Sequence, residues 1–281
     1  MNFRSAAAIL ALTFTPVALF AAEGTFDKTL QVSGQATLKV STGAGYIHIT
    51  PGPDGSVHII GHVHSSNGLF SGNAEDNVRR VTDNPPITQS GNDVEIGQHT
   101  HFQNISIDYV ITAPRGTSVT AASGSGDLNI SNLDAPLDAK TGSGNIVANS
   151  LTGNVALNTG SGDISAMMDH AQDVRVGTGS GNIHLTGATG GLYAEAGSGD
   201  IEIGGNPGSD WKVVTGSGSV TLNTGSAHFA LDASMGSGEF HSDPPLTMHG
   251  SYSHHHVVGD VNGGGGPTVR VQTGSGDVRI H

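Results

Sequence analysis

The sequence predicts an all-β protein, a parallel β-solenoid (β-helix) with two strands per coil of 18–20 residues. Three observations predict it. Gly-Ser-Gly recurs at 124–126, 142–144, 160–162, 179–181, 197–199, 216–218, 236–238 and 274–276, in steps of 18, 18, 19, 18, 19, 20 and 38. Apolar and polar residues alternate on both sides of each triplet, the period of a strand buried on one face. Glycine is abundant, with 43 residues, and the apolar residues come as short runs of Val, Ile and Leu. That composition suits strands and tight bends rather than helices.

Residues 1–22 read as a signal peptide. Arg4 supplies the positive start, AAAILALTFTPVALFAA the apolar stretch, and Ala21 and Ala22 the small residues near a cleavage point. The stretch is short for a bilayer span and Pro16 interrupts it, and no later segment is apolar enough to span. The expected address is therefore outside the cytoplasm: periplasm, cell surface or medium. The sequence has no Cys, which excludes disulfides and an N-terminal lipidated cysteine.

Residues 23–116 form a less regular N-terminal part. LKVSTGAGYIHIT, SVHIIGHVH, NDVEIGQ and ISIDYVITAP read as strands, and Gly43-Ala44-Gly45 as a weak first corner. An insertion at about 65–90 breaks the pattern; residues 73–80 suit a short helix that Pro85-Pro86 ends. This part is expected to open the solenoid and to cap it, because an open end exposes unpaired backbone.

Residues 117–281 carry the regular coils. After each triplet comes a polar residue, then apolar-x-apolar, as in Leu128 and Ile130, Ile164 and Ala166, Ile183 and Leu185, Ile201 and Ile203, Val278 and Ile280. About ten residues later a second alternating run follows, as in Val155-x-Leu157-x-Thr159, Val174-x-Val176-x-Thr178 and Trp211-x-Val213-x-Thr215. Two strands of about five residues and two turns fill one coil, and coils stack about 4.8 Å apart. Glycine is expected at the corner for two reasons: positive φ, and the close approach that a missing Cβ permits.

Stacked corners make ladders. The triplet serines form one column, with Ser125, Ser143, Ser161, Ser180 and Ser198 in successive coils. Their hydroxyls are placed to bond along the stack or to the turn backbone. The next residue alternates acid with neutral: Asp127, Asn145, Asp163, Asn182, Asp200. Skipping a coil doubles the distance between carboxylates and halves their repulsion. A structural Ca²⁺ fits less well, because calcium-binding coils carry Gly-rich turns at both corners, and only one corner is Gly-rich here. The step of 38 reads as two coils of 19, with a degenerate copy near Gly259-Asp260-Val261. The chain stops at DVRIH inside a coil. Its last edge is therefore expected to be open, guarded by Arg279 and His281, and to invite a homo-oligomer.

Net charge is −13, and the 11 Lys and Arg are scattered. No concentrated basic face supports nucleic acid, and an acidic surface does not favour anionic lipid. There are 15 His. His62 and His64, and His99 and His101, each share a strand face, and four imidazoles could converge on Zn²⁺, Ni²⁺ or Cu²⁺ if those strands are neighbours. Solvent-facing strand ends explain the same spacing. His48, His184 and His241 occupy equivalent outward positions, Glu202 lies in the same column, and Tyr193 faces out where it could stack on a sugar ring. Tyr193, His184 and Glu202 are therefore the candidate binding residues, while Trp211 falls in phase with the core. No G-x-S-x-G, H-E-x-x-H or G-x-x-x-x-G-K-[ST] occurs, and no cofactor is implied.

Ile107-Asp108-Tyr109-Val110-Ile111-Thr112-Ala113-Pro114, the GSGD and GSGN coils, and VNGGGGPTVRVQTGSGDVRI at 261–280 together resemble the bacterial exported "putative adhesin" family of domains of unknown function. The resemblance implies a β-solenoid on the cell envelope or secreted, and supplies no catalytic residues. The expected function is a non-enzymatic, adhesin-like binding or structural module for an envelope glycan or a surface protein. The alternatives are a glycan-cleaving β-helix enzyme and a His-rich metal-binding envelope protein.

Overall fold

The computed structural model describes residues 22–65, 74–97, 104–171, 173–249 and 255–281. The signal-peptide reading rests on residues 1–21, outside the described part, as do His99 and His101. The N-terminal part holds β1 (Glu23–Gln31), β2 (Thr37–Thr42), β3 (Ile47–Pro51), β4 (Ser56–Ser65), the helix α1 (Ala74–Asp83), β5 (Ile87–Ser90), β6 (Asp93–Ile96) and β7 (Ile105–Ala113). The coils follow as β8 (Ser118–Ser123), β9 (Leu128–Leu133), β10 (Leu137–Thr141), β11 (Ile146–Leu151), β12 (Val155–Thr159), β13 (Ile164–Met168), β14 (Asp173–Ser180), β15 (Ile183–Ala188), β16 (Gly191–Ser198), β17 (Ile201–Gly205), β18 (Trp211–Ser217) and β19 (Val220–Asn223). The chain ends with β20 (Phe229–Ser237), β21 (Phe240–Ser242), β22 (Leu246–Met248), β23 (His256–Val261), β24 (Thr268–Ser275) and β25 (Val278–Ile280).

Two sheets face each other. Sheet A runs β1-β4-β7-β3-β9-β11-β13-β15-β17-β19-β25-β21, and sheet B runs β22-β23-β20-β24-β18-β16-β14-β12-β10-β8-β2-β6-β5. The coil strands pair in parallel and in register, so equivalent residues stack: Ile146 on Ile164, Ile164 on Ile183, Ile183 on Ile201. In sheet B, Val155 stacks on Val174, and Leu192 on Trp211. These inward columns are buried and form one aliphatic core between the sheets. Trp211 belongs to it, only 1% exposed, with its indole Nε1 donating to the Gly190 carbonyl at 2.9 Å.

Both reasons expected for corner glycine are met at Gly45, Gly199, Gly218, Gly238 and Gly276, where φ lies between 126° and 157° and an added Cβ would meet the neighbouring coil's backbone. Gly162 and the serine column depart from the expectation. Gly162 does not lie in the left-handed region; a Cβ there would overlap the carbonyl oxygen of Gly144 in the coil below. Close approach, not positive φ, is what demands glycine at this corner. The triplet serines are exposed, and the Ser125, Ser143, Ser161, Ser180 and Ser198 hydroxyls make no hydrogen bond among the described residues. The residue before the triplet takes that task. Buried Thr141, Thr159, Thr178 and Thr215 donate Oγ1–H to the corner carbonyls of Gly126, Gly144, Gly162 and Gly199 at 2.8–3.0 Å.

The Asp/Asn column is a backbone-capping ladder. Asp127 accepts the Asn145 N–H at 2.8 Å, and Asn145 accepts the Asp163 N–H at 2.9 Å. Asp163 accepts from Asn182 at 2.7 Å, Asn182 from Asp200 at 3.0 Å, and Asp200 from Ser219 at 2.7 Å. Either residue type supplies the side-chain oxygen, so charge can alternate along the column without breaking it.

Both ends of the stack depart from the regular parallel coils. At the N-terminus β4 pairs antiparallel with β1 and β7, while β2 and β3 form the first coil beneath β8 and β9. Phe26 and Tyr109 pack edge to face over this end, 6.4 Å between ring centroids. Gly61 leaves the space that Phe26 fills. The C-terminus overturns the open-edge expectation. Strand β24 lies between β18 and β20, and β25 between β19 and β21, each paired on both sides. The last coil is inserted into the stack rather than exposed at its end. The 38-residue step is therefore one rung, with Ser237 against Ser275. Gly259-Asp260-Val261 is not a corner but part of β23, which runs antiparallel to β20. The open-edge argument for a homo-oligomer fails, because both flanks of the terminal strands already have partners.

Candidate functional site

Sheet B presents a face built from outward positions of successive coils. One column reads Thr120, Asp138, Ala156, Arg175, Tyr193, Lys212, Arg270, Asp232, in hydrogen-bonded register. Small Ala156 stands between Asp138 and Arg175. Here the face sinks into a groove of about 390 Å³, lined also by Asn154 and Asp173. Asp138 Oδ2 accepts from Lys140 Nζ at 3.0 Å, while its Oδ1 is buried without a partner.

Beyond the groove, three rungs bring Arg175, Tyr193 and Lys212 side by side. The Tyr193 hydroxyl donates to Glu195 Oε2 at 2.6 Å. That bond, with some burial and the Glu195 charge, holds the phenol above its ordinary pKa, and Arg175 works in the opposite direction. Lys212 Nζ lies 5.5 Å from the Tyr193 ring centroid. An exposed cation–π contact is worth about 0.5–1 kcal/mol, so an incoming ring could displace the ammonium at modest cost. Asp232 ties the far end, accepting from Arg270 at 3.1 Å and His256 at 3.0 Å. Burial opposes its ionisation, yet these two donors outweigh burial and hold the carboxyl below its ordinary range.

Tyr193, His184 and Glu202 do not form one site. Tyr193 is on sheet B, whereas His184 and Glu202 sit on β15 and β17 of sheet A. There they satisfy each other, His184 Nδ1 to Glu202 Oε2 at 3.2 Å, and Asn223 donates to the second carboxylate oxygen at 3.0 Å.

His62 and His64 do share an outward face of β4. His64 Nε2 meets Asp108 Oδ2 at 3.2 Å and its Nδ1 lies 3.8 Å from Glu23 Oε1, while His62 Nδ1 is 3.3 Å from Thr25 Oγ1. Among the described residues no group of three or more His, Asp or Glu is arranged to hold a metal ion. The general pattern is instead imidazole beside carboxylate. His58 pairs with Asp27, His249 with Asp260, and Asp243 bridges His241 and His281. Spacing along the chain could not reveal these acids, because most come from neighbouring strands. The Asp243 carboxyl is held below its ordinary value by hydrogen bonds from His281 and His241.

No curated protein matches the chain. Three solved structures are similar to it. A "putative adhesin" of Bacteroides fragilis is 16% identical, with TM-score 0.46, over 92% of this chain and 97% of that one. A "putative cell adhesion protein" of Clostridium sporogenes is 14% identical, with TM-score 0.31, over 92% and 99%. A "putative lipid binding protein" of Parabacteroides distasonis is 14% identical, with TM-score 0.46, over 92% and 96%. The Toastrack DUF4097 family model covers residues 71–281, which takes in the helix, every Gly-Ser-Gly corner and the inserted last coil, and the chain belongs to that family.

Proposed function

We propose that the protein is a non-enzymatic, exported recognition module of the cell envelope whose sheet B face takes a glycan. The carrying observation is Tyr193, standing between Arg175 and Lys212 on a flat ladder that runs into the 390 Å³ groove. A largely apolar groove edged by Asp138, Asn154 and Asp173, continued by an aromatic and several long donors, suits a chain of sugar rings. The rung spacing of about 4.8 Å is close to the advance of one ring in an extended polysaccharide. The leader-like residues 1–22 support export. Binding of the purified protein to isolated envelope polysaccharide and to deproteinised cells tests it. Tyr193→Ala should abolish retention, and equal retention by the variant would overturn the assignment of this face. Retention on envelope protein but not on polysaccharide would replace the glycan by a protein partner.

One observation favours a second reading, glycan cleavage. Asp138 and Asp173 both line the groove, and Asp138 keeps one buried oxygen without a partner. Paired carboxylates on either side of a sugar are the machinery of glycoside hydrolysis. Release of reducing ends from envelope polysaccharide, lost in Asp138→Asn, would establish it.

A further inference from the structure

We infer that the ligand of this face is an acidic polysaccharide, bearing carboxylate or phosphate groups, which binds along the track from Arg175 through Tyr193 and Lys212 to Arg270. The inference rests on the glycan reading of sheet B and adds the charge of the ligand. The protein as a whole is strongly acidic, at −13, yet three of its 11 Lys and Arg fall in four consecutive rungs of one column. All three are exposed.

Pairing decides which charges are available. The acids around the track are occupied: Glu195 by the Tyr193 hydroxyl, Asp232 by Arg270 and His256, and Asp210 by the Thr268 backbone N–H at 2.8 Å. Asp173, two residues before Arg175 on β14, is the exception and faces the groove end. Arg175 and Lys212 have no carboxylate partner among the described residues, in contrast to Lys39, Arg115, Lys140, Arg270 and Arg279. They flank Tyr193, one rung to either side, about 10 Å apart at the backbone. A sugar ring lying on Tyr193 would therefore place its acid group within reach of a guanidinium on one side or an ammonium on the other. Arg175 can take a carboxylate or phosphate in two parallel hydrogen bonds, and Lys212 acts as a mobile point charge. A neutral sugar would leave both cations unanswered.

The test uses the chain from residue 22 onward, with polygalacturonate, its fully methyl-esterified form and poly-glutamate as probes in a binding titration at low and high salt. Polygalacturonate is expected to bind at least about tenfold more tightly than the ester, with affinity falling as salt rises. Arg175→Gln combined with Lys212→Gln should remove that preference while leaving the circular dichroism and melting of the protein unchanged. Tyr193→Ala should weaken both polysaccharides. Equal binding of acid and ester would overturn the acidic-ligand inference and leave the glycan reading standing. Binding of neither would overturn both. Poly-glutamate bound as tightly as polygalacturonate would show a general anionic docking face and overturn the sugar component.

Discussion

Replacing Asn145 by Asp isolates the electrostatics of the corner ladder. The new carboxylate keeps an oxygen for the Asp163 N–H, which Asn145 caps at 2.9 Å, so no hydrogen bond need be lost. What changes is charge: the substitution puts an acid directly between Asp127 and Asp163, one coil away on each side. At about 4.8 Å and the dielectric constant of water, each new pair repels by about 0.9 kcal/mol, or about 1.7 kcal/mol for the two. Asp200 is three coils away and adds little. Screening scales the sum to about 1.5 kcal/mol at 0.01 M salt, about 1 kcal/mol at 0.15 M and about 0.3 kcal/mol at 1 M. Thermal unfolding followed by circular dichroism should show a Tm lowered by roughly 3–6 °C at 0.01 M and by no more than about 1 °C at 1 M. Asn145→Ala removes the acceptor instead and should cost about 1 kcal/mol at every salt concentration. A loss for Asn145→Asp that is the same at 0.01 M and 1 M, or no loss at 0.01 M, would refute the view that alternation relieves repulsion.

Other outcomes follow from the same geometry. Gly162→Val should destabilise by at least about 3 kcal/mol in denaturant melts, because its Cβ would meet backbone, whereas Asn158→Ser on the exposed strand face should stay within about 0.5 kcal/mol. Thr159→Val strips the buried Gly144 carbonyl of its donor and should cost on the order of 1–3 kcal/mol by the same melts. Deleting residues 266–281 should abolish cooperative unfolding rather than merely fray an end, since β18, β19, β20 and β21 each lose a partner. A deletion variant that melts like the parent would refute the inserted coil. Asp232 and Asp243 are held below the ordinary carboxylate value of 3.8. Their contribution is therefore present above that value and is lost as pH falls through their lowered values in the folded protein. Hydrogen exchange in β20–β25 should accelerate in that window before exchange in β10–β17 does. Asp243→Asn should remove part of the difference.

The local rules were legible in the sequence. Period-2 alternation and an 18–20-residue glycine beat determine two strands per coil and which side chains enter the core, as buried Ile183, Leu185, Val174 and Trp211 show. Short-range sterics decide such features, so they can be read from neighbours along the chain. The tertiary structure decided whatever depends on which strands become neighbours. Insertion of β24 and β25 between coils formed earlier in the chain closed the edge that seemed open by sequence order. The carboxylates beside His64 and His281, Asp108 and Asp243, arrive from distant parts of the chain. Tyr193 parted from His184 and Glu202 because successive strands of a coil belong to opposite sheets, whereas Arg175 and Lys212 joined it through register. Glycine at the corner was expected both for positive φ and for close approach of the coils; at Gly162 the second reason alone applies. Pairing of strands out of chain order is a long-range choice made by backbone hydrogen bonding and shared burial, and the regular coil spacing does not encode it.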